Sequence, residues 1–233
     1  MAQADWTDLT NSLAGGVLAR GVTAGEAVPL GGGTHVYGMR TLSVATGALA
    51  KFVVETDFAP TDPFKDHSIR GAVKKGISAG ATGFSAFLVA VLQGPDVTDR
   101  AYMLGLSDGD PGFISLVKGR ITDGIPDAAP GALGVLRRST QSVAIGEWAH
   151  LRLDAIINTN GDVVLNCFRN DNANSVAAPT WTAIPGITQF IDDALGANSG
   201  SLPFTEGRMG FGGRFSDVGR RVYFDRIECI RET

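Results

Sequence analysis

The sequence predicts an all-β protein: an antiparallel jelly-roll sandwich preceded by a short N-terminal helical arm. Three observations predict it. Leu151, Leu153, Ala155 and Ile157 alternate with His150, Arg152, Asp154 and Ile156, a period of two that leaves one strand face free to be buried. Asn160-Gly161 follows, a dipeptide suited to a two-residue type I′ turn, and Val163, Leu165 and Cys167 then alternate with Val164, Asn166 and Phe168. Second, residues 84–93 are apolar on both faces, the pattern of a central strand covered on both sides. Third, 31 of 233 residues are Gly, well above average usage, which in a period-two chain means many turns and bulges.

The elements follow in order. Over residues 5–20, Trp6, Leu9, Leu13 and Val17 fall at helical spacings on one face, with Asp5, Thr7 or Asp8 to cap the start. Gly15-Gly16 weakens this helix, so it needs a surface to dock on, either its own sheet or a neighbouring subunit. Residues 21–33 end in Leu30-Gly31-Gly32-Gly33, a linker. No Gly-Lys-Ser/Thr follows to make a phosphate loop. The chain therefore divides into an arm and linker, 1–33, and a sandwich domain, 34–233.

Strands are expected over 34–42, 50–58 and 84–93, the last with its second face under the arm or a partner chain. Residues 102–106 and 113–117 form a hairpin around Ser107-Asp108-Gly109-Asp110-Pro111-Gly112. Residues 121–132 are a Pro-, Asp- and Gly-rich excursion. Strands resume at 133–138 and in the pair around Asn160. A loop region, 171–205, holds Trp181, and strands at 209–215 and 222–230 close the fold.

Composition narrows function. Hydrophobic residues are 44%, charged residues 19% and net charge is −4, without the basic excess that nucleic-acid binding needs. No run reaches the roughly 18 apolar residues of a membrane span. Met1-Ala2-Gln3-Ala4-Asp5 has no basic or apolar leader character, so folding in a cytoplasm is expected. Cys167 and Cys229 each lie in strand-like runs. A disulfide needs those strands to be neighbours, and two free thiols are the expected state. Of 20 Lys and Arg residues, 15 are Arg.

Residues 84–91, Tyr102-Met103-Leu104-Gly105-Leu106, Glu147-Trp148-Ala149-His150-Leu151-Arg152-Leu153-Asp154 with its Asn160-Gly161-Asp162 turn, Met209-Gly210-Phe211-Gly212 and Phe224-Asp225-Arg226-Ile227 together resemble the concanavalin A-like lectin/glucanase sandwich of laminin-G type. The resemblance covers about residues 34–231 and implies fold more than function. Glycosidases of that family carry a Glu-x-Asp-x-x-Glu-type strand, which this chain lacks, so the resemblance does not extend to hydrolysis. Some members bind calcium at a strand-end Asp and a loop carbonyl, which makes Asp108, Asp110 and Asp162 candidate ligands, though turn chemistry explains the same residues.

The Met start, high Gly and Ala, scarce Lys and docking N-terminal segment also resemble a bacteriophage virion structural protein. On that resemblance the expected partners are other virion proteins and copies of the chain itself, joined through Trp6, Leu9 and Leu13, in the virion. The alternative is a carbohydrate-binding module for host-surface glycans, with Trp181, between Pro179 and Pro185, stacking on a sugar ring or else sealing a core edge. A glycoside hydrolase is the least supported. His35, His67 and His150 lack metal-ligand spacing, and no Gly-x-Ser-x-Gly elbow is present. His150 shares a strand face with Arg152 and Asp154, an exposed or interface face. Arg208, Arg214, Arg220, Arg221, Arg226 and Arg231 crowd the last 26 residues, either a scattered solvated set or a grip on an acidic partner.

Overall fold

The computed structural model describes residues 6–10, 18–20, 37–40, 49–55, 59, 61, 63–76, 83–94, 100–171, 179–193, 201–216 and 219–232. They form fifteen strands: β1 (Trp6–Thr10), β2 (Leu18–Arg20), β3 (Tyr37–Arg40), β4 (Leu49–Glu55), β5 (Asp66–Lys75), β6 (Phe84–Leu92), β7 (Arg100–Leu106), β8 (Gly112–Arg120), β9 (Val135–Val143), β10 (Trp148–Ile157), β11 (Val163–Asn170), β12 (Trp181–Ala183), β13 (Phe190–Asp192), β14 (Arg208–Phe215) and β15 (Arg221–Glu232). One sheet has seven strands in the order β1-β4-β14-β6-β7-β8-β9. The other has eight, in the order β12-β11-β10-β5-β15-β3-β2 with β13 also on β11. Every pairing is antiparallel, as the alternating strands require.

The main core lies between the sheets. Leu88, Leu104, Leu116 and Phe211 of the seven-stranded sheet meet Leu151, Leu153, Leu165 and Phe224 of the eight-stranded one, all fully buried. At roughly 25 cal/mol per Å² of apolar area removed from water, this shared layer is the main stabilising term.

β6 is apolar on both faces as expected, but its second cover is neither an arm nor a partner chain. Phe87, Val89 and Leu92 pack with Met103, Val117 and Val135 on the outer face, under Ile121 and Ile125 of the 121–132 excursion. A short 3-10 turn, Ile121–Asp123, carries Ile121 down onto the sheet.

The expected N-terminal helix is not formed where the segment is described. Trp6–Thr10 is a strand, in register with β4 from Trp6↔Glu55 to Thr10↔Lys51, and Leu18–Arg20 pairs with β3. Trp6, Thr7 and Thr10 favour strand, and the long-range ladder outweighs a marginal, Gly-broken helix. Leu13 and the Gly-rich segment 21–33 lie outside the described residues.

The turn after β10 also differs from expectation. Its loop runs from Asn158 to Asp162, and only Gly161 has positive φ (85°). Gly161 N–H donates to Asn158 O, and Asn158 Oδ1 accepts from the N–H groups of Asn160 and Asp162. A side-chain-capped turn thus replaces the two-residue form, because Asn158 satisfies the loop amides itself.

Cys167 and Cys229 form no disulfide among the described residues. They occupy one cross-strand row, Cys167–Leu153–Ile69–Cys229, with two strands between them. Three strand spacings put them about 14 Å apart, beyond disulfide reach.

Candidate functional site

The outer face of the eight-stranded sheet gathers polar and aromatic side chains in cross-strand rows. Since Leu151 and Leu153 of β10, Ile69 and Val73 of β5, and Val222 and Phe224 of β15 point into the core, the alternate residues point outward. Register then fixes three rows. Trp148, Lys74 and Tyr223 form the first, His150, Ala72 and Asp225 the second, and Phe168, Arg152, Arg70 and Glu228 the third.

In the first row the Lys74 ammonium lies 5.2 Å from the Trp148 ring and 5.3 Å from the Tyr223 ring, so the aromatics hold a cation between them. In the second row the His150 ring meets Trp181 edge-on, centroids 4.7 Å apart. Asn170 Oδ1 accepts from Thr180 N–H at 3.0 Å, so its amide nitrogen is the group facing His150 Nδ1 at 3.2 Å. Nδ1 is therefore the acceptor, and the proton sits on Nε2. Burial, aided by the guanidinium groups of Arg70 and Arg226, lowers the His150 pKa to about 4, which keeps the ring neutral near pH 7.

In the third row Arg152 grips Asp154 with both prongs, Nε to Oδ1 at 2.8 Å and Nη2 to Oδ2 at 2.7 Å, and its guanidinium lies 5.3 Å from the Phe168 ring. Arg70 places Nε and Nη2 on Glu228 Oε2 at 3.0 and 2.5 Å. Neither arginine's Nη1 makes a hydrogen bond among the described residues.

β15 is bulged between Asp225 and Glu228, and Arg226 within the bulge has φ 48°, a left-handed backbone uncommon for arginine. Its N–H donates to Asp225 Oδ1 at 2.9 Å. Asp225 is 7% exposed, and its Oδ2 has no hydrogen-bond partner among the described residues. Burial raises its pKa. Arg226, one of the six C-terminal arginines, thus lies in this constellation. Arg214 instead pairs with Asp108 at 2.6 Å.

Trp181 lies in short β12 beside Asn170, half-buried on this outer face and apart from the main core. Trp6 and Leu9 lie in β1, at the edge of the other sheet. Glu147 is exposed just before β10, while Asp154 is held by Arg152.

The calcium candidates do not converge. Asp108 and Asp110 lie in the β7–β8 turn and Asp162 in the β10–β11 turn, and no group of three or more metal-capable side chains occurs among the described residues. β5 runs from Asp66, paired with Ile156 near the second turn, to Lys75, whose ammonium reaches the first, so the two turns lie at opposite ends. Lys75 Nζ donates to Ser107 O at 2.8 Å and Gly109 O at 2.5 Å, supplying a positive charge to the carbonyls of that turn. Burial lowers its pKa to about 8, against the pull of Asp108, Asp110 and Asp127.

Reasoning from sequence noted His150, Arg152 and Asp154 on one face but missed Arg70 and Lys74, which lie on a strand it did not assign. It also did not place Arg226 beside them. The usable signal was the Trp148/His150/Arg152 alternation, which required a polar outer face on the neighbouring strands as well.

No protein family and no curated protein matches the sequence. Solved structures do match in fold. The cellulose induced protein Cip1 superposes with a TM-score of 0.56 at 14% identity, over 99% of this chain and 93% of that one. The VIP36 exoplasmic/lumenal domain, in a Ca2+/Man3GlcNAc-bound form, gives 0.49 at 11%, over 100% and 86%. Lectin II from Ulex europaeus gives 0.49 at 10%, over 99% and 94%. The fold is thus an all-β antiparallel jelly-roll sandwich, similar to that of Cip1.

Proposed function

We propose that this chain is a carbohydrate-binding module whose ligand lies across the outer face of the eight-stranded sheet. One observation carries the reading: Trp148, Trp181 and Phe168 stand half-buried around hydrogen-bonding side chains on a single sheet face. Aromatic rings offer flat apolar area to the C–H faces of a pyranose, and the polar groups between them meet its hydroxyls. Tyr223, Ala72 and Lys74 of this face are themselves buried, so the part open to a ligand is the half-buried set Trp148, His150, Arg152, Phe168, Trp181 and Arg70.

A glycan array read with wild-type protein and with Trp181→Ala tests the proposal. Wild type is expected to select particular glycans, and Trp181→Ala to lose them while keeping its melting temperature within a few degrees. A wild-type array without hits, with and without calcium, contradicts the proposal.

The rival reading, a structural part of a bacteriophage particle assembled through Trp6, Leu9 and Leu13, rests on composition. Its support is weaker now that Trp6–Thr10 joins the chain's own sheet. Residues 1–30 include β1 and β2, so their deletion would test sheet integrity as much as assembly. Triple replacement of Trp6, Leu9 and Leu13 by Ser, with mass measured by light scattering, separates the two.

A further inference from the structure

We infer that the ligand of this face is a carboxylated polysaccharide, a chain of uronate residues whose carboxylates lie against Arg70 and Arg152. This rests on the carbohydrate-binding reading and narrows it to one class of sugar.

Arg70 and Arg152 are directly opposite one another on adjacent strands. Like charges in that position repel, and the fold answers by giving each its own carboxylate, Glu228 and Asp154. Those carboxylates take Nε and Nη2 of each fork and hold both guanidinium planes in place. What remains without a hydrogen bond among the described residues is the Nη1 donor of each arginine. Beside them the neutral His150 carries its proton on Nε2, a third donor. These three donors fit an acceptor group, and the planar guanidinium edge fits a carboxylate.

Across Ala72 from His150, the buried Asp225 Oδ2 has no hydrogen-bond partner among the described residues, an acceptor in the same row. A uronate carries both a carboxylate and hydroxyls on one ring. The bulge and left-handed backbone at Arg226 fall on this same stretch of β15, where they re-aim Asp225 and Glu228.

The experiment titrates the full chain with a polyuronate, a sulfated dextran, an uncharged β-glucan and an uncharged mannan by calorimetry. Wild type, Arg70→Gln and Arg70→Lys are compared, each checked for its melting temperature. Arg70 suits this test because its carboxylate partner is half-exposed, so its loss spares the fold.

The polyuronate is expected to bind, and binding to weaken from about 0.05 M to about 0.5 M salt. Arg70→Gln is expected to weaken it roughly tenfold or more, and Arg70→Lys by less. Binding of only the uncharged polysaccharides, unchanged in Arg70→Gln, overturns the uronate inference and leaves the carbohydrate-binding reading standing. Binding of the sulfated dextran alone overturns the choice of carboxylate. Binding of none overturns the uronate inference, and the array described above then decides the broader reading.

Discussion

Arg70 and Arg152 face each other across the β5–β10 ladder, yet their carboxylate partners differ sharply in exposure. The Asp154 side chain is 9% exposed and that of Glu228 52%. The two ion pairs therefore differ in what their loss does. Arg152→Met leaves a buried carboxylate without its bidentate partner and is expected to cost about 2–4 kcal/mol. Arg70→Met breaks a solvated pair and is expected to cost at most about 1 kcal/mol. Urea unfolding of the two variants measures both, and equal costs would contradict the assigned geometry.

Lys118 makes a similar contrast at the other sheet. Its ammonium donates to Asp192 Oδ2 at 2.6 Å and to the carbonyls of Ser201 and Leu202 at 2.9 Å each, and Tyr102 O–H donates to the same carboxylate. This buried cluster ties β8 to β13 and the 201–204 segment. Lys118→Met is expected to cost about 3–5 kcal/mol, because Asp192 remains buried. The double variant Lys118→Met/Asp192→Leu is expected to be more stable than Lys118→Met alone. A double variant no better than the single one would mean that the carbonyl contacts, not the charge pair, hold the cluster.

Acid should weaken the protein before its carboxylates titrate. His67 is fully buried, stacks on Phe64 with centroids 4.2 Å apart and donates from Nδ1 to Ala90 O at 2.8 Å. Burial lowers its pKa to about 4 from an ordinary 6.5. The unfolded chain takes up a proton in that window and the folded chain does not. Stability is therefore full above about pH 6.5 and is lost as pH falls towards 4, by on the order of 3 kcal/mol for this residue. The melting temperature is expected to fall over that range, and the fall to be shallower in His67→Gln. A flat profile from pH 7 to pH 4.5 would contradict a buried neutral imidazole.

Lys75 bears on calcium. Its ammonium already sits on Ser107 O and Gly109 O beside the Asp108–Arg214 pair. A divalent ion there would meet a fixed positive charge, so millimolar calcium or its chelation is expected to leave the melting temperature unchanged. A rise of several degrees with calcium would place a metal at this turn.

How far the sequence could be read depends on where polarity is buried. β6, the β7–β8 hairpin, the β10–β11 pair, β14 and β15 were legible because their inward residues are apolar at every second position. β5 was not. Its inward positions are His67, Ile69, Gly71, Val73 and Lys75, and only two of the five look like core. His67 Nδ1 donates to Ala90 O and Lys75 to two loop carbonyls, partners far away in sequence. Because β5 is central to its sheet, missing it hid Arg70, Lys74 and the whole middle of the candidate site. The N-terminal strand was missed for a different reason: five residues paired to β4 carry no local signal strong enough to beat a helical spacing that continues beyond them.

The central claim, that the outer face of the eight-stranded sheet holds the ligand, is tested most directly by the imidazole nitrogens. In a 15N-labelled sample near pH 7, His150 is expected to show a neutral ring protonated at Nε2, from Asn170 donating to Nδ1. On titration with an oligouronate, its ring signals are expected to shift while those of His67, buried between the sheets, stay in place. His150 signals unmoved by a saturating ligand, or an Nδ1-protonated ring in the free protein, would contradict the account.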